Sequence, residues 1–149
     1  MATESTNRPV IPRTSAVRAV GGVILAVVAS VVVNAIIAAA AHAAGADDEF
    51  MPLNAGSFTF FTVVGVLAAA FAWTLIRRLS RRPSTVLRWL VPGVVVFSLI
   101  PDILLLVDGS LAGTSTLAVL ALMLMHLAVA AIAVPIFLRV LPVTSSPAA

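Results

Sequence analysis

Four long apolar stretches alternate with short polar ones along the chain, at about Ala19 to Ala41, Ser57 to Ile76, Trp89 to Val107 and Thr116 to Leu138. Each is close to the roughly 20 apolar residues that a helix needs to cross about 30 Å of hydrocarbon. None has the polar face that a surface helix of a soluble protein carries. The pattern predicts an all-α protein, a transmembrane four-helix bundle. Residues 19–139 form its single domain, between a flexible N-terminal tail (1–18) and a loose C-terminal tail (140–149). The connections are an acidic loop, "HAAGADDEFMPLNAG", a basic loop, "RRLSRRPSTVLR", and a tight turn, "DGSLAGTS". Connections this short make consecutive spans antiparallel neighbours.

Charge sets the orientation. All nine basic residues are arginine, which with the many alanines and valines points to a GC-rich coding bias. The arginines lie in the N-terminal tail, in the basic loop (Arg77, Arg78, Arg81, Arg82 and Arg88) and after the last span (Arg139). Asp47, Asp48, Glu49 and Asp108 lie in the other two connections. Cytoplasmic loops carry the excess of arginine, so both termini are expected in the cytoplasm, in a multi-pass protein of the plasma membrane. The arginines flank apolar spans, so they are a topology signal and no nucleic-acid partner is expected. Trp73 and Trp89 flank the basic loop, where interfacial aromatics are expected. One alternative topology is visible. Residues 1–44 also read as a signal peptide ending near "AHA", although their apolar stretch exceeds the usual 7–15 residues or so. An uncleaved first span is the preferred reading.

Small and polar residues recur every fourth position in span one, at Gly22, Ala26, Ser30, Asn34, Ala38 and His42. Such spacing lets helix backbones approach closely in lipid. Span two has a 3-4-3 rhythm at Thr62, Gly65, Ala69 and Ala72, which suits a left-handed seam. Both are expected as packing faces, within one chain or toward a second copy.

Ionisable residues inside spans are costly and mark candidate function. Asp102 in span three and His126 in span four are the two, with Ser98 and Asn34 as neutral companions. Ser98 and Asp102 are four apart and share a helix face. In an ideal hairpin Ser98 stands level with His126, and Asp102 lies about 7 Å nearer the outer end. A direct Asp102–His126 contact is then strained, and one through water or Ser98 is easier. Pro101 removes a helical N–H and is expected to kink span three. Residues 101–107 can then form a second half-helix with Asp102 in its first turn. Two readings follow: a proton-responsive pair beside a hydrated cavity, or a carboxyl capping a kink and a histidine making one interhelical bond.

Other chemistry is thin. The chain has no cysteine, which excludes disulfides and thiolate sites. No phosphate loop, zinc motif or dinucleotide fingerprint is present, and no cofactor is expected. "ADDE" reads as a complement to the arginines more than as a cation site. "RRLSRR" reads as a topology determinant more than as a site for anionic lipid. His42 and His126 differ too much in depth to share a haem.

The four-span layout, "WTLIRRLSRRP", "SLIPDILLL" and "LMHLAVAAIAVPIFLRVLP" together resemble an uncharacterised family of small actinobacterial integral membrane proteins, a domain of unknown function. The resemblance covers Val17 to Pro142 and implies a four-helix membrane domain with no assigned activity. Small multidrug transporters are similar in size and span count, but they carry a membrane-embedded glutamate in the first span, where this chain offers only Asn34. The leading expectation is a non-enzymatic bundle in the lipid bilayer that binds a membrane-protein partner or a second copy of itself as a homodimer. A proton-linked small transporter using Asp102 and His126 is the alternative. A membrane-embedded enzyme acting on a lipid-like substrate, with Ser98, Asp102 and His126, is the third.

Overall fold

The computed structural model describes residues 16–143. The greater part of both expected tails, residues 1–15 and 144–149, lies outside the described residues. Five α-helices make up the four spans: α1 (Ala16–Ala43), α2 (Ala55–Leu79), α3 (Pro83–Ser98), α4 (Ile100–Asp108) and α5 (Thr116–Val140). No strand occurs among the described residues. Spans one, two and four are single helices, and span three is α3 followed by α4. The chain is therefore an all-α protein with four helices long and apolar enough to cross a membrane, the architecture of a multi-pass membrane protein.

α1 packs chiefly against α5 and then α2, while α3 and α4 complete the ring between α2 and α5. The first and last spans are thus the tightest pair. The buried residues of α1 are Gly22, Ala26, Ser30, Asn34, Ala38 and Ala41. Small side chains let α5 come close here: a Cβ on Gly22 would stand 2.6 Å from both γ carbons of Val140. His42 leaves this face, and Ala41 is buried in its place. Each step of four residues overshoots a helical turn by about 40°, so a closing step of three restores the face.

Helices extend beyond the apolar stretches at the basic end. Arg77 and Arg78 form the last turn of α2, Arg88 lies inside α3, and only Ser80, Arg81 and Arg82 lie between the helices. The expected loop over 77–88 is therefore a three-residue turn. Hydropathy marks the hydrocarbon boundary, whereas the helices continue into the interface, and Pro83 suits the first turn of α3. Trp73 is buried, with its Nε1–H donating to the Leu141 carbonyl at 3.0 Å and its ring edge-on to Phe137. It is a packing residue that closes the carboxyl end of α5, whereas Trp89 is exposed. Leu141 itself is buried, so the C-terminal segment begins packed.

At the other end the acidic connection is a built lid. Phe50 and Leu53, around a single 3-10 turn (Met51–Leu53), are fully buried among Ala38, Ala118 and Val119. Removing each from water stabilises by about 1.5–3 kcal/mol. The turn before α5 packs onto this lid at Gly113, whose φ is +69° and whose Cβ would stand 2.8 Å from the Phe50 nitrogen. Ser115 caps α5 by accepting the Ala118 N–H, and Gly109 ends α4 in the left-handed conformation. Apolar anchors within a polar loop have no helical period to announce them.

Candidate functional site

Span three stands apart from the rest of the bundle. Of all the residues in α3 and α4, only Pro83, Leu87 and Asp102 are buried. The span is held near its two ends, and between them a cleft of about 790 Å³ separates it from α2 and α5. Cavities of roughly 300–1,000 Å³ accommodate small-molecule ligands and cofactors. The walls are mainly apolar, from Phe58 and Leu105 at the acidic end to Trp73 and Phe137 at the basic end. The mouth lies between α2 and α3, where Gly65, Ala69, Ala72 and Val94 line the cleft and are solvent- or lipid-exposed. Most of the small-residue seam expected on span two thus lines open space. A Cβ on Gly65 would meet nothing within 4 Å.

Polar residues from all four spans face this cleft. Asn34, Thr62, Ser98, Asp102 and His126 all line it. Asp102 is 3% exposed, and its Oδ2 lies 3.2 Å from Nδ1 of His126. The contact expected to be strained is direct. Two features of the backbone close the gap. Span three breaks at Leu99, whose N–H turns to the Val96 carbonyl three residues back, and α4 restarts with Pro101 and Asp102 in its first turn. Side chains also lean toward the N-terminus of their helix. α4 and α5 run in opposite directions, so Asp102 leans toward mid-span and His126 leans toward the acidic end.

The hydrogen-bond geometry is specific. His126 Nδ1 donates to the Leu122 carbonyl at 2.9 Å, which fixes the hydrogen on Nδ1 because a carbonyl only accepts. Asp102 Oδ2 approaches the same nitrogen outside hydrogen-bonding geometry and keeps no donor of its own. Ser98 does not bridge the pair, since its hydroxyl donates to the Val95 carbonyl at 2.7 Å. Asn34 is joined to span two instead of span three: its Nδ2 donates to Thr62 Oγ1 at 2.8 Å. Its Oδ1 is buried without a donor, and so is Ser30 Oγ one turn away. Thr62 was legible only as a packing residue. Its pairing needs α1 beside α2, which no single-helix pattern reveals.

The remaining candidates lie elsewhere. Pro101 is on the cleft wall, and Gly22, Ala26, Ser30 and Ala38 lie on the packed face of α1. Arg77, Arg78, Arg81, Arg82 and Arg88 gather at the basic end. His42 sits at the acidic end, 3.2 Å from Asp48 Oδ1 and from the Ala46 carbonyl. Among the described residues, no group of three histidines and carboxylates is placed to hold a metal ion.

Comparison with known proteins adds a family and no activity. No curated protein and no solved structure matches the chain. A family model covers residues 14–143, nearly the whole length, and the chain belongs to that family, a family of unknown function (DUF6069).

Proposed function

We propose that this protein is a non-enzymatic intramembrane binding protein of the plasma membrane, whose cleft holds an amphipathic small molecule entering sideways from the bilayer. The observation that carries the reading is the cleft itself: about 790 Å³ of mainly apolar space with polar residues from all four spans, opening between two of them. An apolar body fits the walls, and a polar head fits beside the polar residues. The sequence led to a membrane-protein partner or a second copy as occupant, and the cleft favours a small molecule instead. The arginines gathered at one end support an orientation with both termini in the cytoplasm.

The test uses Trp73, which lines the cleft, as reporter in a Trp89→Phe background. Terminally dibrominated dodecanol in phosphatidylcholine nanodiscs is expected to quench Trp73 saturably, and Gly65→Leu, which fills open space, is expected to abolish quenching without loss of helicity. Absence of saturable quenching would remove the reading. A dimer that Gly65→Leu converts to monomer would put a second copy in the cleft instead.

The direct Asp102–His126 contact favours a second reading, proton-linked transport. It predicts pH-dependent flux in proteoliposomes that Asp102→Asn abolishes, and unchanged flux in that variant would sink it.

A further inference from the structure

The basic end of the molecule concentrates charge of one sign. Arg77, Arg78, Arg81, Arg82 and Arg88 occupy the last turn of α2, the three-residue turn and the start of α3. All but Arg77 are exposed. The carboxylates of the described residues are Asp47, Asp48, Glu49, Asp102 and Asp108, which lie in the acidic connection and in α4. None of them pairs with these five arginines; Asp48 and Asp102 lie instead against His42 and His126. A second feature adjoins this charge. A groove of about 260 Å³ runs between the end of α2 and the start of α3, lined by Leu75, Ile76, Leu79, Ser80 and Val86. Its wall is hydrocarbon apart from one hydroxyl, and Ser80 Oγ already accepts the Arg82 N–H at 3.2 Å. Leu79 is 75% exposed, so the protein itself leaves the wall largely uncovered. The arginines stand at its rim. Arg81 follows Ser80 directly, and the Arg82 carbonyl accepts the Val86 N–H, which places Arg82 one turn outward of the groove wall.

We propose that this groove is a binding site for an anionic phospholipid, with its phosphate head held by Arg81 and Arg82 and an acyl chain lying along Leu75, Leu79 and Val86. The sequence reads these arginines as a topology determinant, and the groove beside them gives them a second use. Arginine presents a planar fork of donors that matches a phosphate, and its stem lies along apolar surface while the charge stays in the head-group layer. A zwitterionic head carries its own cation and so gains less from the two guanidinium groups. A soluble phosphate would satisfy the arginines but leave Leu79 and Val86 uncovered. Basic pockets between spanning helices are a recurring form of anionic-lipid site. Ile76 lines both this groove and the main cleft, so the two are neighbours. The assignment does not depend on what fills the cleft.

The experiment uses Trp89, three residues and about 4.5 Å along α3 from Val86, as reporter in a Trp73→Phe background. Phosphatidylglycerol or phosphatidylcholine, each brominated near the head-group end of its chains, is titrated into phosphatidylcholine nanodiscs, and Trp89 quenching is followed. An arginine beside an anionic lipid is worth roughly fivefold in binding. Two of them predict half-quenching by phosphatidylglycerol at a mole fraction roughly twentyfold below that of phosphatidylcholine. Arg82→Gln should reduce this preference about fivefold. Arg139→Gln removes an equal charge from α5, which contributes nothing to the groove, and should leave the preference nearly intact. Gly65→Leu, which fills the cleft, should also leave it intact. Excess inorganic phosphate should reduce it no more than chloride of equal ionic strength. Helicity of each variant is checked alongside. Equal quenching by the two lipids would overturn the proposal, and so would equal losses from Arg82→Gln and Arg139→Gln, which would mark a diffuse surface potential. Loss of the preference in Gly65→Leu would move the lipid into the cleft, and displacement by phosphate beyond the chloride effect would assign the arginines to a soluble anion; either result overturns the groove site.

Discussion

Replacing Gly22 with alanine tests whether the small-residue face of α1 is used inside one chain. The added Cβ would stand 2.6 Å from Cγ1 and Cγ2 of Val140 and 2.9 Å from its Cβ. Carbon atoms settle at about 3.5–4.0 Å, so α1 and α5 must separate by close to 1 Å or Val140 must turn away. Val140 has little freedom to turn, because β-branched side chains keep one strongly preferred rotamer in a helix. Overpacking of this kind costs about 1–3 kcal/mol. Alanine also favours the helix over glycine by up to about 1 kcal/mol, and that gain must be removed from the comparison. Gly21→Ala provides the control, since a Cβ there meets nothing within 4 Å. The difference between the two variants is then the clash alone, and Gly22→Ala is expected to be less stable by about 1–3 kcal/mol. The assay is loss of helicity as SDS is titrated into mixed micelles, run at two protein concentrations. Val140→Ala, which removes both γ carbons, should recover part of the loss in the double variant. Equal midpoints for the two alanine variants would refute the close approach. A difference that grows with protein concentration would assign the face to contact between copies.

Thr62→Val leaves Asn34 Nδ2 buried without its acceptor and should cost about 1–3 kcal/mol in the same assay; combining it with Asn34→Leu should return most of that, because both polar partners are then gone. Trp73→Phe removes the bond to the Leu141 carbonyl and should cost about 0.5–1.5 kcal/mol, read by the same unfolding midpoint. Gly113→Ala meets both a left-handed backbone, a penalty of roughly 1–2 kcal/mol for a residue with a Cβ, and the Phe50 nitrogen; faster hydrogen exchange over residues 50–54 is the expected readout, and unchanged exchange would mean that the turn does not clamp the lid. In the cysteine-free chain, a single cysteine at Ser110 should react with a membrane-impermeant maleimide on intact cells, and one at Ser80 only after permeabilisation. The reverse pattern would invert the proposed orientation.

The number of spans was legible because hydrocarbon thickness imposes a length on every crossing helix, and four stretches of this chain satisfy it. Helix ends were less legible. Polarity reports where the lipid stops, but a helix such as α2 continues through Arg77 and Arg78 because its backbone bonds do not depend on the solvent of its side chains. The lid was not legible at all. Phe50 and Leu53 sit in a segment whose acidic residues dominate its character, and what buries them are α1 at Ala38 and the start of α5 at Ala118 and Val119, with the turn at Gly113 closing on Phe50.

The site divides the same way. Asp102, His126, Ser98 and Asn34 stood out because polar side chains in apolar spans are rare, and that argument needs no structure. How they pair did need one. Counting residues along an ideal hairpin puts Asp102 too far toward the acidic end to meet His126 comfortably, because it treats side chains as level with their own Cα atoms. Side chains tilt toward their helix N-termini, and in antiparallel helices two such tilts either open a gap or close it. Here the shallower residue leans inward and the deeper one outward, so the error of the count and the correction have opposite signs. The break at Leu99 then interrupts the helical bonding between α3 and α4. The same tilt directs Nδ1 of His126 at the Leu122 carbonyl, four residues toward the N-terminus, and so leaves Asp102 near a histidine without taking its hydrogen. Proximity alone would have suggested a satisfied pair. The directions of the bonds show two side chains joined by proximity across α4 and α5, with the Nδ1 hydrogen of His126 given to its own helix.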